Sequence, residues 1–156
     1  MSKKHKRKLP SPPRPAIRPP QGIALALTPG VSPRAFEAHQ LGLRLREKRK
    51  FAEAIAAFRK SLEIAPQFVE ALNDLGLTLI YHGDSAKALD AFQRALELKP
   101  DHAIAWNNLG TLWLSLGNYD EALPCFEKPV QFAPDVPDLR KNLDVARREH
   151  AAPRPL

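Results

Sequence analysis

The sequence predicts an all-α protein, a solenoid of stacked antiparallel helix pairs, and two observations carry that prediction. First, the apolar residues fall at helical spacing in paired blocks that are separated by turn signals. Second, four separate features recur every 34 residues. They are Leu41-Gly42, Leu75-Gly76 and Leu109-Gly110; Ala54, Ala88 and Ala122; Phe58, Phe92 and Phe126; and Pro66, Pro100 and Pro134. One such unit cannot bury both of its faces, so about three must stack to complete a core.

Residues 1–31 are predicted to form a disordered tail. Eight of the 16 prolines lie before residue 35, together with eight basic residues and no acidic ones. Large apolar side chains are too sparse there to offset the chain entropy that folding would cost. The tail therefore accounts for the formal net charge of +7, and the rest of the chain is close to neutral. Residues 151–156 are predicted to be a short disordered C-terminus.

The basic cluster at residues 3–8 has three interpretations, namely a contact with nucleic acid or an anionic surface, a nuclear import signal in a eukaryote, and a solubilising tail. Clustered cations bind phosphate groups with a salt-dependent affinity that ignores base sequence, so nucleic acid or an anionic surface is one candidate partner. No aromatic residue lies between the cations to stack on bases, which argues against single-stranded nucleic acid. The favoured interpretation is a solubilising tail. A nucleic-acid-associated adaptor that uses this tail is the alternative function.

The apolar run Ile23–Leu27 is unusual for such a tail, because it holds three large aliphatic residues in five. We expect it to cover the outer end of the first helix pair, around Leu41 and Leu45 or the helix that contains Ala54, since the ends of solenoids need covering. One alternative is that the run occupies the groove described below until a partner displaces it. The other is that it makes no contact.

The helix pairs are predicted at residues 35–68, 69–102 and 103–136. Ser32 is the predicted N-cap of the first helix, with Pro33 at its first position, where the missing N–H costs nothing. In the third pair, Pro124 and Pro129 fall inside the expected second helix. Each removes a helical hydrogen bond and clashes with the preceding turn, at a cost of about 3 kcal/mol. We expect that helix to be kinked or cut short near Lys128.

The pattern resembles the tetratricopeptide repeat. The third unit carries most of that family's signature residues, namely Trp106, Leu109, Gly110, Trp113, Ala122, Phe126 and Pro134. Residues 137–150 keep Leu143 but have Asp144 where the signature glycine belongs, so we expect a capping helix with a polar outer face. The resemblance implies a right-handed solenoid over residues 32–150 and a role in protein–protein interaction.

The sequence shows no catalytic or metal-binding pattern, so we expect no enzymatic activity, cofactor or metal. None of the five histidines has the spacing of a zinc ligand set, alone or with the single Cys125. His82, Asp84 and Ser85 are the residue types of a catalytic triad, but near-adjacent residues in one turn cannot converge on a substrate. A lone cysteine excludes a disulfide-stapled fold. No apolar run approaches the ~20 residues of a membrane span, so we expect a cytoplasmic protein without a membrane partner.

The resemblance places a partner-binding groove on the concave face, lined by the first helix of each pair. The predicted groove residues are His39, Gln40, Leu43, Asn73, Asp74, Leu77, Tyr81, Asn107, Asn108 and Thr111. The asparagines offer donors and acceptors that suit an extended peptide backbone, and we expect Asn73 and Asn107 to be exposed. The alternative is that these amides simply face water. The predicted function is non-enzymatic binding of a peptide or helix of a partner protein.

One subclass of the family clamps a C-terminal carboxylate with lysine, arginine and asparagine side chains. The corresponding residues of this chain are His39, Leu43, Asp74, Ile104 and Asn108. The lysine and arginine cations are absent from these positions, and Asp74 would repel an acidic terminus. The resemblance therefore disfavours the carboxylate clamp.

Overall fold

The computed structural model describes residues 30–151, which form seven α-helices and no strand. The helices are α1 (Pro33–Glu47), α2 (Phe51–Ile64), α3 (Val69–His82), α4 (Ser85–Leu98), α5 (Ala103–Ser115), α6 (Tyr119–Phe132) and α7 (Pro137–Ala151). Each helix packs against the next, and α1, α3, α5 and α7 also contact one another in order. The all-α solenoid that the periodicity predicts is confirmed.

A phenylalanine packed on a glycine holds each helix pair together. A Cβ added to Gly42 would lie 2.6 Å from the Phe58 ring, and one added to Gly76 would lie 2.7 Å from the Phe92 ring. The third pair repeats this contact, and all three phenylalanine rings are buried. Any side chain at these glycines would displace a core ring, which explains why the Leu-Gly feature recurs in every unit.

The three turns within the helix pairs share one geometry. The turn residue adopts a left-handed conformation in each, with φ of 59° at Arg49, 91° at Gly83 and 76° at Gly117. The next amide then bonds a carbonyl five residues back, as Asp84 N does to Leu79 O at 2.9 Å. This is a helix-ending motif that favours glycine, because a side chain is strained at positive φ. Only the first turn uses a residue with a side chain.

The predicted start of α1 is confirmed. Ser32 is its N-cap and accepts a hydrogen bond from Ala35 N at 3.3 Å, and Pro33 is the first helical residue. Asp84 caps α4 in the same way, through Lys87 N at 3.2 Å. The hydroxyl of Ser61, fully buried in α2, donates to Ala35 O at 2.7 Å and joins the two helices of the first pair.

His102 caps α5 in an unusual way. Its Nδ1 accepts from Ala105 N at 3.1 Å, so this ring nitrogen carries no proton in the folded state. Burial lowers the pKa of His102, and the nearby charge of Lys99 lowers it further, although Glu70 and Asp101 oppose this. The neutral ring is therefore the stable form in the fold.

We expected α6 to be kinked or cut short near Lys128; the shortening is wrong, and the kink stays a prediction. The helix continues through both prolines to Phe132, and Ala133 N bonds Pro129 O at 2.9 Å. The ring of Pro129 is fully buried, and the ammonium of Lys128 lies 3.7 Å from the centre of the Trp106 ring on α5. Packing of this helix against its neighbours thus outweighs the hydrogen bond that each proline removes.

The last helix, α7, buries Leu139, Leu143 and Ala146. Within residues 30–151, none of the helices is both long and apolar enough to span a membrane. The basic tail, the run Ile23–Leu27 and the last five residues lie outside the described part of the chain, so the expectations for them remain predictions.

Candidate partner-binding groove

The first helices of successive repeats are joined by side-chain hydrogen bonds at one repeated spacing. His39 Nε2 and Asp74 Oδ2 lie 2.8 Å apart between α1 and α3. Asn108 on α5 donates from Nδ2 to Asn73 Oδ1 on α3 at 2.9 Å. Both contacts link residues 35 apart in sequence, and a third on α7 has the same separation. We call the three pairs the inter-repeat ladder: His39–Asp74, Asn73–Asn108 and Asn107–Asn142.

The expectation that Asn73 and Asn107 are exposed is wrong. Each keeps only 6% of its surface exposed, and Asn108 keeps 5%. The physical reason is that the next repeat covers these side chains while supplying the hydrogen-bond partner that makes their burial tolerable. The predicted groove asparagines therefore hold the repeats together.

The first rung of the ladder is ionic. Asp74 accepts from His39 Nε2 and also from Arg46 NH1, both at 2.8 Å. Burial raises the pKa of Asp74, but the hydrogen bond from His39 and the charge of Arg46 lower it more, so the net pKa is lowered and Asp74 stays an anion. His39 and Arg46 lie two turns apart on α1, on the side that faces α3.

The ring of His39 is fixed on its other faces by aromatic contacts. Its centre lies 4.9 Å from that of Phe68 and 5.5 Å from that of Phe58. Its Nδ1 is buried and has no hydrogen-bond partner among residues 30–151. Since the carboxylate of Asp74 can only accept, Nε2 carries a proton and donates it to Asp74. His39 is thus a core residue with one polar contact.

The other predicted groove residues are half-buried, namely Gln40, Leu43, Leu77, Tyr81 and Thr111. Leu43, Leu77 and Thr111 follow the ladder by about one turn on the same helix face. Gln40 adjoins the ladder, and Tyr81 follows it by about two turns. Leu43 and Leu77 pack on the core and keep part of their surface accessible. Thr111 donates to Asn107 O at 3.0 Å, so its hydroxyl is engaged within its own helix.

Tyr81 does not point only at the groove. Its ring stacks on Phe51 of the preceding pair, with centres 5.6 Å apart and planes inclined by 15°. The guanidinium of Arg49 lies 5.9 Å from the centre of the same Phe51 ring. The aromatic pair therefore joins α3 to the start of α2.

Two ladder residues keep hydrogen-bonding capacity. Within residues 30–151, the Nδ2 groups of Asn73 and Asn107 donate no hydrogen bond, and neither is a fully buried atom. Each Oδ1 is occupied by the next repeat. The ladder thus presents two oriented N–H donors, one from α3 and one from α5.

The predicted site residues omit one residue of the ladder, Asn142, which lies in the helix predicted only as a cap. They also omit Arg46, which is outside the ladder but neutralises Asp74. The separation of 35 residues between Asn73 and Asn108 would have found Asn142, because Asn107 and Asn142 repeat it.

No group of metal-ligating side chains occurs within residues 30–151. Stacked helix pairs with a polar ladder between their first helices define a repeat scaffold that acts by binding other proteins. Two sequence models of the tetratricopeptide repeat match the chain, one at residues 35–68 and the other at residues 73–137. The chain belongs to the tetratricopeptide repeat family and is a non-enzymatic protein–protein interaction module.

Solved structures confirm the fold at low sequence identity. The first TPR domain of Spaghetti (RPAP3), bound to the HSP90 peptide SRMEEVD, has a TM-score of 0.72 and 18% identity over 76% of this chain and 94% of that one. The Sgt2 TPR domain from Aspergillus fumigatus has a TM-score of 0.73 and 20% identity over 80% and 87% of the two chains. The TPR2B domain of yeast Sti1, in a pHsp70 complex, has a TM-score of 0.71 and 18% identity over 77% and 98%. Curated protein sequences give no significant match.

Proposed function

We propose that the domain binds a segment of a partner protein across the inter-repeat ladder. The observation that carries the proposal is the pair of unoccupied Nδ2 donors on Asn73 and Asn107. The partner's backbone carbonyls accept from these donors, which suits an extended segment because its carbonyls are not used internally.

The apolar side chains beside the ladder define the second part of the contact. Leu43 and Leu77 are half-buried one turn from the ladder, on neighbouring first helices. Apolar side chains of the partner would bury the remaining surface of these leucines. Such a site combines a few oriented polar groups with an apolar floor, the usual composition of a binding cleft.

The partner does not end in an acidic peptide of the kind bound by similar domains. The Spaghetti domain was solved with the peptide SRMEEVD, whereas this chain places the Asp74 anion between α1 and α3. The charge of Arg46, the nearest cation, is already used by Asp74 at 2.8 Å. An incoming carboxylate would meet the like charge of Asp74 and would compete with it for Arg46.

The test uses peptides selected from a random display library against the full chain. Peptides that bind the unmodified chain should bind at least 10-fold more weakly to Leu77→Glu, because the added charge interrupts the apolar floor. Leu98→Glu is the matched control, since Leu98 is 42% exposed at the end of α4 and outside the first helices.

Two results would contradict the proposal. Equal binding by the Leu77→Glu and Leu98→Glu chains would place the contact on another surface. Binding of SRMEEVD with a dissociation constant below ~100 μM would show that Asp74 does not exclude acidic termini. Circular dichroism of both variants verifies that helix content is retained.

The alternative function, nucleic-acid association, depends on the basic tail outside the described residues, and neither the family nor the fold supports it. We also propose a cytoplasmic location, on the ground that the single cysteine, Cys125, is buried and unpaired. Release of a tagged full chain from cells in which only the plasma membrane is permeabilised would test that location.

A further inference from the structure

The outer face of α1 is exposed where the same face of every later first helix is buried. Leu41 keeps 44% of its surface exposed, although its equivalents Leu75, Leu109 and Leu143 keep 8%, 6% and 7%. The sequence at these four positions is the same, so the difference comes from the surroundings. α3, α5 and α7 each pack on a preceding helix, and α1 is preceded by none within residues 30–151.

The exposed surface extends along α1. We define the outer face of α1 as Ala38, Leu41 and Leu45, which lie on one side of the helix at spacings of three and four residues. Ala38 and Leu45 are half-buried, whereas the corresponding residues of α3, Leu72 and Leu79, keep 0% and 3%. This apolar stripe is the place where a preceding helix would pack.

We propose that the segment Ile23–Leu27 of the same chain covers the outer face of α1. The surface and the segment are both apolar, and residues 21–28 carry no charge although the rest of the tail is basic. Three of the five leucine and isoleucine residues that precede residue 30 lie in this segment. The uncharged, apolar segment therefore matches the apolar outer face of α1.

The connection between segment and surface is short enough for this contact. Leu25 lies five residues before Gly30, a reach of up to about 17 Å, and Leu41 lies eight residues into α1, about 12 Å along the helix axis. Gly30 adopts φ of 91° in a turn, and the adjacent Val31 packs on the core. The chain therefore turns at Gly30, next to the folded core. A turn at this place allows the preceding segment to run back along α1.

Covalent capture in the full chain tests the proposal. Under mild oxidation, the double variant Leu25→Cys/Leu41→Cys should form an intramolecular disulfide in most molecules. The matched control is Leu25→Cys/Val145→Cys, because Val145 is also 44% exposed but lies on α7. The native Cys125 does not interfere, since it is buried and burial raises its pKa to about 11.

A second control addresses the groove. Leu25→Cys/Leu77→Cys places the second thiol on the concave side, where a groove-bound segment would lie. Faster capture by Leu77→Cys than by Leu41→Cys would overturn the proposal in favour of groove occupation. Disulfide-linked dimers would overturn it in favour of a second copy on the outer face, and capture no faster than in the Val145 control would show that the segment does not dock.

Thermal unfolding gives a second measurement without cysteines. Leu41→Ser should lower the melting temperature of the full chain by about 3–6 °C, since it removes the apolar contact with the segment. The same substitution should have less than half that effect when Ile23, Leu25 and Leu27 are all replaced by serine, because contacting residues are non-additive. Additive losses would overturn the proposal.

Discussion

The junction between the first two repeats and the junction between the next two have the same geometry and different chemistry. Both join residues 35 apart on neighbouring first helices, at 2.8 Å between His39 and Asp74 and at 2.9 Å between Asn73 and Asn108. The first uses a half-buried carboxylate that also bonds Arg46, and the second uses two amides. The repeat spacing therefore determines where two first helices are joined. The residue types at that place determine how strongly the stability of the junction depends on charge.

The ionic junction should be the more costly to break. Asp74→Ala removes the hydrogen-bond partner of His39 and Arg46, which are both largely buried. We therefore expect a loss of about 2–3 kcal/mol in the free energy of unfolding. Asp74→Asn is the control, because it gives the first junction the amide chemistry of the second. Asp74→Asn should lower the free energy of unfolding by less than half as much, as measured by urea denaturation.

Acid should separate the Asp74→Asn chain from the unmodified chain. Because the pKa of Asp74 is lowered in the fold, its contribution to stability is complete above the unfolded pKa of about 3.9 and is lost as the pH falls through the folded value. The Asp74→Asn chain lacks this contribution, so its stability should fall less steeply below about pH 4. Equal slopes for the two chains would mean that the ion pair contributes nothing to the junction.

The amide junction should show a smaller effect. Asn73→Ala leaves the amide of Asn108 buried without its acceptor, and we expect a loss of about 1–2 kcal/mol in the free energy of unfolding. Asn107→Ala is the comparison, because its partner Asn142 is only half-buried and can bond water. It should cost less. An unchanged melting temperature in Asn73→Ala would show that the ladder does not stabilise the stack.

The features of a single repeat were predictable from sequence, and the contacts between repeats were not. A glycine at position 42, 16 residues before Phe58, indicates a close helix crossing because only its absent side chain makes room for the ring. Asn73 gave no such signal, since a polar residue on one face of an isolated helix predicts exposure. Its burial depends on Asn108, which is distant in sequence. The effect of Pro129 was mispredicted for a related reason. Its packing against neighbouring helices outweighs the hydrogen bond that a proline removes from its own helix.

The turn of the first repeat offers a further test, with a small expected effect, of how this repeat differs from the others. Arg49 holds φ of 59°, a conformation that costs a residue with a side chain about 1 kcal/mol relative to glycine. Its guanidinium recovers part of that cost through the Phe51 ring at 5.9 Å. Arg49→Gly should therefore stabilise the fold by about 0.5 kcal/mol, seen as a higher urea midpoint.

The second turn provides the reverse experiment for the same backbone position. A Cβ added to Gly83 meets nothing within 4 Å, so Gly83→Ala tests the left-handed conformation alone, without a steric clash. We expect it to destabilise the fold by about 1 kcal/mol. If Arg49→Gly instead lowered the urea midpoint while Gly83→Ala behaved as expected, the contact between Arg49 and Phe51 would outweigh the strain. The first repeat would then be stabilised by its departure from the glycine turn, because the stack of Arg49, Phe51 and Tyr81 joins it to the second.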